Sequence, residues 1–128
     1  MIIEYVAEGG DATPAILIYG RDWEACQSLE QSFQNLSQGK VKQVAIHLIP
    51  KFDAKDGVKL TARVADTDAG VIAGDGPNNF DISLSKASWA RIAQALQPFC
   101  RPLPEEQDTA QQLDRSGKIA LTIATDKL

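Results

Sequence analysis

Val58-Lys59-Leu60-Thr61-Ala62-Arg63-Val64 alternates apolar and polar side chains at every step, and Phe80-Asp81-Ile82-Ser83-Leu84 repeats the pattern further on. Successive side chains of a strand point to opposite faces, so a period of two marks a strand with one wet face. Between the two, Asp66 to Gly70 and Gly74-Asp75-Gly76-Pro77-Asn78 read as turns around a short strand at Val71-Ile72-Ala73. Strands joined by turns, without regular βαβ alternation, favour an α+β class.

Working outward from this centre, the period of two begins at Val41. Val44, Ile46 and Leu48 share one face, with Ala45, His47 and Ile49 opposite, and Pro50 stops the strand. Lys51 to Gly57 reads as a polar loop. Upstream, Trp23, Cys26, Leu29, Phe33 and Leu36 recur at spacings of three or four, which predicts a helix over 22–37 with Asp22 as its cap and Gly39 just past its end. Residues 2–7 and Ala15-Ile16-Leu17-Ile18-Tyr19 form an expected hairpin around the turn cluster Glu8-Gly9-Gly10-Asp11.

Downstream, Ser85 caps a second expected helix. Its apolar stripe is Trp89, Ile92, Ala93, Leu96, Phe99 and Cys100, with Pro98 distorting its end. Pro102 and Pro104 then break the chain. Residues 105–113 are polar, in keeping with a loop or one helical turn, and Ile119, Leu121 and Ile123 alternate with Ala120, Thr122 and Ala124 in a last strand. The small off-face residues suit a strand that is covered or central. The expected fold is therefore α+β: a single mostly antiparallel sheet with two amphipathic helices packed on one face, in the order β-β-α-β-β-(β)-β-α-β. No repeat or linker divides it, which predicts one domain over residues 1–128.

With 128 residues, 44% hydrophobic and 23% charged, the chain is long and apolar enough to bury a core. Its 13 basic against 17 acidic residues give a net charge of −4, which opposes binding to nucleic acid or an anionic membrane and favours a basic partner. The start Met1-Ile2-Ile3-Glu4-Tyr5 lacks the basic flank and apolar run of a secretion signal, and no stretch is long enough to span a membrane, so a cytoplasmic location is the default expectation.

Motifs for catalysis and metal binding fail on inspection. Asp66-Thr67-Asp68-Ala69-Gly70 begins like a calcium loop, yet Val71 stands where the loop needs glycine and Pro77 where it needs a bidentate acid. Gly70, Gly74 and Gly76 lack the spacing of a phosphate cradle and open no helix. Cys26 and Cys100 are too few for a zinc site, and a bridge between them requires their helices to be neighbours. His47, the only histidine, could act as a base only with a nucleophile, and Cys26 lies in an apolar stripe where a thiolate is costly. No catalytic residue, metal or cofactor is expected, and the chain is not read as an enzyme.

Charge placement is more informative. Lys40, Lys42, Lys51, Lys55, Lys59 and Arg63 cluster at mid-chain, followed by Asp66, Asp68, Asp75 and Asp81 and later by Glu105, Glu106, Asp108 and Asp114. The sharper of two readings makes Asp66, Asp68, Asp75, Asp81, Glu105, Glu106 and Asp108 a partner-binding set on acidic loops. The plainer reading leaves them as solvated turns and strand faces.

The segment Phe80-Asp81-Ile82-Ser83-Leu84-Ser85-Lys86-Ala87-Ser88-Trp89-Ala90-Arg91-Ile92, the proline-containing break, Gln112-Leu113-Asp114 and the terminal strand Ile119 to Asp126 together resemble small bacterial α+β immunity proteins. These neutralise toxins of polymorphic or contact-dependent-inhibition systems, and many are acidic inhibitors of basic nucleases. The resemblance covers about the last third of the chain and carries over no individual residue. It implies a protein partner, namely a basic toxin domain. Two other functions stay open at this point: a small-molecule-binding module or minor enzyme with a pocket near Tyr5, Tyr19 or His47, and an oligomerising subunit with an exposed apolar strand edge.

Overall fold

The computed structural model describes residues 1–7, 14–104 and 107–127. The turn cluster Glu8 to Asp11, and Glu105 and Glu106, lie outside the described residues. Among the described residues, nine strands and two α-helices follow in order: β1 (Ile2–Val6), β2 (Ala15–Tyr19), α1 (Trp23–Ser37), β3 (Gln43–Ala45), β4 (Asp53–Ala54), β5 (Lys59–Val64), β6 (Gly70–Ala73), β7 (Asn79–Leu84), α2 (Lys86–Ala95), β8 (Ala110–Asp114) and β9 (Ala120–Ala124). Single 3₁₀ turns lie at Ile46–Leu48, Lys55–Gly57 and Gln97–Phe99.

The mixed α and β content is as expected, but the expected single antiparallel sheet is corrected. The strands form a five-stranded sheet, β4-β1-β2-β9-β8, and a four-stranded one, β3-β5-β7-β6. Both are mixed, because β1 pairs with β4, β2 with β9 and β5 with β7 in parallel. The cause in the second sheet is local. The connection at 65–69 carries the chain past the place beside β5 and lays β6 one strand further out; β7 then returns through the turn at 74–78 into the gap, antiparallel to β6 and parallel to β5.

Both helices fall where periodicity places them. Asp22 Oδ1 accepts the Ala25 N–H at 3.0 Å and Ser85 Oγ accepts the Ser88 N–H at 3.3 Å, each satisfying an orphan donor of the first turn. Pro98 sits in the 3₁₀ turn that follows α2. The helices pack on each other through Phe33 and Trp89, whose ring centroids are 4.8 Å apart, and Trp89 Nε1 donates to the Arg63 carbonyl of β5 at 2.9 Å. One continuous core joins α1 and α2 to Ile3, Ile16, Ile18, Leu121 and Ile123 of the first sheet and to Leu60, Ala62, Ile82 and Leu84 of the second. Tyr5 of β1 stacks against Phe80 of β7 with centroids 4.7 Å apart, closing the space between the sheets.

Three local expectations change. The strand expected from Val41 to Ile49 spans only Gln43–Ala45, after which the 3₁₀ turn sends Ile46 into the core and leaves Leu48 74% exposed. His47 Nδ1 there accepts the Leu60 N–H at 3.0 Å, so an imidazole takes the place of the next ladder bond. The polar loop at 51–57 contains β4, anchored where Asp53 N–H donates to the Met1 carbonyl at 2.9 Å. Residues 110–114 form the edge strand β8; only its last two residues, Leu113 and Asp114, are buried, so its polar start carries no burial pattern to read.

The sheets meet where β6 passes the turn between β8 and β9, with a single antiparallel bridge from Val71 to Ile119. A Cβ on Gly117 would lie 2.9 Å from the Ala69 carbonyl oxygen and 3.0 Å from that of Val71, both backbone atoms. Gly117→Ala is therefore expected to cost about 1–3 kcal/mol of stability through overpacking. Urea unfolding should show a lower midpoint at unchanged slope.

Candidate functional site

The four-stranded sheet turns its apolar face to the core and leaves much of the other uncovered, except at Gly70, which is buried against the turn at Gly117. Its cross-strand registers place Ala45, Thr61, Asp81 and Ile72 in one row across that outer face, with Gln43, Arg63, Ser83 and Gly70 in the next. Lys59 and Asn79 make a third row. Arg63 Nε donates to Asp81 Oδ1 at 3.1 Å, and Arg63 Nη1 reaches Gln43 Oε1, so one guanidinium ties three strands together. Ile72, 46% exposed, stands beside Asp81 with no apolar cover. Near the 74–78 turn the face dips into an open groove of about 250 Å³ lined by His47, Lys59, Thr61, Asp75, Asn79 and Asp81.

The acidic residues singled out in the sequence are not brought to one place. Asp66 lies exposed in the connection before β6 and Asp75 exposed in the turn after it, so they flank opposite ends of the sheet. Neither makes a side-chain hydrogen bond or ion pair among the described residues. Asp81 lies between them on the outer face, held by Arg63. Asp68 is a structural group: its Oδ1 accepts the Ser85 N–H at 2.8 Å and its Oδ2 accepts the Ser88 hydroxyl at 2.6 Å. Asp108 belongs to another region, paired with Arg21 at 2.8 Å, while Arg21 also donates to the carbonyls of Pro104 (3.0 Å) and Gln107 (2.9 Å). Asp114 is buried, and its carboxylate accepts the Ser116 N–H and hydroxyl.

A second charged cluster had no signature in the sequence. Glu4 points to the outer face of the five-stranded sheet and meets Lys127 Nζ at 3.0 Å, Lys55 Nζ at 3.3 Å and the Tyr19 hydroxyl at 3.1 Å. The Lys127 ammonium holds the Glu4 carboxyl below the ordinary glutamate value, against the opposing effect of burial, and Glu4 in turn raises Lys127. Burial, followed by the bond to Glu4, raises the Tyr19 phenol. The strand pattern of β1 gives the direction of Glu4, but its cationic partners come from residues 55 and 127, too far along the chain for any spacing to reveal.

The aromatic and imidazole groups near which a pocket was expected are engaged by neighbouring residues. Tyr5 is stacked on Phe80, Tyr19 is bonded to Glu4, and His47 is held through Nδ1 by the Leu60 backbone. The influence of the Cys100 thiol, followed by burial, raises Cys26 far above an ordinary cysteine, so it supplies no thiolate to His47. Among the described residues, no group of three or more His, Cys, Asp or Glu side chains is arranged to hold a metal ion, and no helix is long and apolar enough to cross a membrane.

The bonds from Ser85 and Ser88 keep the Asp68 carboxyl below its ordinary value of 3.8. A depressed carboxyl contributes stability that is present above 3.8 and lost as the pH falls through the lower folded-state value. Asp68→Ala should accordingly lower Tm at pH 7, and the gap from the wild type should close towards about pH 2. Thermal unfolding across that range checks the sign, and a gap that widens in acid would contradict it.

No protein-family model matches the chain, and comparison with curated proteins and with solved structures gives no significant match.

Proposed function

We propose that this chain is a protein-binding domain of the immunity type, acting in the cytoplasm to cover the basic surface of a cognate toxin domain. The observation that carries this reading is the uncovered face of the β3-β5-β7-β6 sheet, with Ile72 exposed among polar side chains and Asp75 unpaired at its rim. An apolar anchor surrounded by polar and charged groups is the usual composition of a recognition surface. The net charge of −4 would draw a basic partner, and fixed neighbours such as the Arg63–Asp81 pair would keep the face rigid in register.

The two rival functions have less behind them. The space a small molecule would need beside Tyr5 is filled by Phe80 and the core. The edge strands β4 and β3 have two and three residues, β8 is mostly exposed and bulged, and β6 is already met at Val71 by Ile119, which makes them poor templates for adding another chain.

Coexpression with the product of the adjacent upstream gene should yield a complex that copurifies and weakens as salt is raised. Asp75→Lys is expected to weaken it about tenfold, chiefly by slowing association, and Ile72→Ala to cost about 1–2 kcal/mol of binding. Both variants should keep the wild-type Tm. A neighbour that does not bind, or affinity unchanged in both variants, would remove the proposal.

A further inference from the structure

We infer that Asp75 is a site of covalent modification, converting to isoaspartate through a cyclic imide formed with Gly76. Aspartate is followed by glycine twice in the chain, at Asp56-Gly57 and at Asp75-Gly76. The conversion needs the backbone nitrogen of the next residue to reach the aspartate side-chain carboxyl, and a glycine there has no Cβ to obstruct the approach. Sequence alone makes the two pairs equal. The fold does not.

Asp75 and Gly76 are both exposed in the turn between β6 and β7. That turn is tied only at its base, where the Gly74 N–H donates to the Asn79 carbonyl at 2.7 Å and Asn79 Nδ2 donates to the Asp75 carbonyl. Among the described residues, the Asp75 carboxylate has no partner and the Gly76 N–H has no acceptor. Beyond its chain neighbours, a Cβ on Gly76 would meet only Asn79 Nδ2, at 3.8 Å, so the turn has room to rearrange. Asp56 is exposed too, but its backbone is locked at φ 56° and ψ 28°. The Val58 N–H closes the turn over it by donating to the Lys55 carbonyl at 3.2 Å, and Asn78 Nδ2 holds the Asp56 carbonyl at 3.0 Å. A ψ of 28° keeps the Gly57 nitrogen on the side of Asp56's own nitrogen, whereas ring closure needs it beside Cβ. Reaction at Asp56 therefore requires that turn to open first.

The chemistry uses water alone. The Gly76 nitrogen, having given up its proton, attacks Cγ of the Asp75 carboxyl group. The new N–C bond closes a five-membered imide, and the carboxyl hydroxyl leaves with that proton as water. Water then adds back to one of the two imide carbonyls. Opening at Cγ restores aspartate; opening at the main-chain carbonyl leaves the chain running through Cβ and Cγ, with a carboxylate directly on Cα. Isoaspartate thus has the mass of aspartate, one more methylene in the main chain and a shorter arm for its charge. Asp75 stands at the rim of the uncovered sheet face, so the change weakens capture of a partner there. That consequence rests on the binding role proposed for the face; the modification does not.

The test keeps the full chain at physiological pH and temperature for several weeks, beside a sample unfolded in guanidinium chloride, and digests both with trypsin. Cleavage after lysine and arginine separates peptide 64–86, which carries Asp75, from peptide 56–59, which carries Asp56. In the folded sample, peptide 64–86 should split into two chromatographic forms of equal mass. The new form should accept methyl groups from S-adenosylmethionine through a protein isoaspartyl methyltransferase, and fragmentation should place the isoaspartate at 75. Peptide 56–59 should stay single in the folded sample and split only in the unfolded one. Asp75→Glu keeps the charge but would have to close a less favourable six-membered ring, so its peptide should stay single. Isoaspartate forming at 56 as fast as at 75 in the folded chain, or at 75 only after unfolding, would overturn the proposal. The aged chain should also bind the upstream gene product several-fold more weakly than the fresh chain. A fresh chain that does not bind would remove the role proposed for the face and leave the modification standing.

Discussion

Gly70 and Gly117 let two backbones meet without side chains between them, and that contact fixes how the sheets stand to each other. Gly70 opens β6 with a φ of 81°, a left-handed conformation suited to glycine, and its missing Cβ would strike the Gly117 backbone. The Val71–Ile119 bridge follows from the same approach. With the outer strand of the second sheet joined to the β8–β9 turn of the first, the inner faces converge, and α1 and α2 complete the enclosure. Side chains from both sheets and both helices then share one core, in which Phe33, Trp89, Ile82 and Ile123 are all fully buried.

A filled interior decides where function can lie. Among the described residues, every fully buried side-chain nitrogen or oxygen has a hydrogen-bond partner. Such groups are costly to leave unpaired, and satisfied ones hold a core in a single arrangement. His47, Tyr19 and Asp68 are committed to Leu60, Glu4 and the α2 cap. The free polar groups lie outside, and the outer face of the second sheet gathers them on a rigid surface.

Patterns that depend on near neighbours were legible in the sequence. The helix stripe at 23–36, caps at Asp22 and Ser85, and alternation at 58–64 and 80–84 each express a local period, and each reappears in the fold; the stripe from Trp89 does so only as far as Ala95, where α2 gives way to the 3₁₀ turn holding Phe99. Parallel pairing was not legible, since β2 finds β9 and β5 finds β7 through contacts between distant residues. Residues 110–112 escaped because an exposed edge strand has no apolar face to display. The acidic set shows the same limit: composition put the carboxylates in loops, but the caps and ion pairs at Asp68, Asp81 and Asp108 emerge only when Ser85, Arg63 and Arg21 are brought near.

The most direct measurement is a map of backbone and methyl chemical shifts while the labelled chain is titrated with the upstream gene product. Binding through the bare face predicts perturbations concentrated at Thr61, Arg63, Ile72, Asp75 and Asp81, with Ile16, Ile18 and the Glu4 cluster unmoved. Perturbations centred on Glu4, Tyr19 and Lys127, or spread through the core, would contradict a surface-binding domain that works through its second sheet.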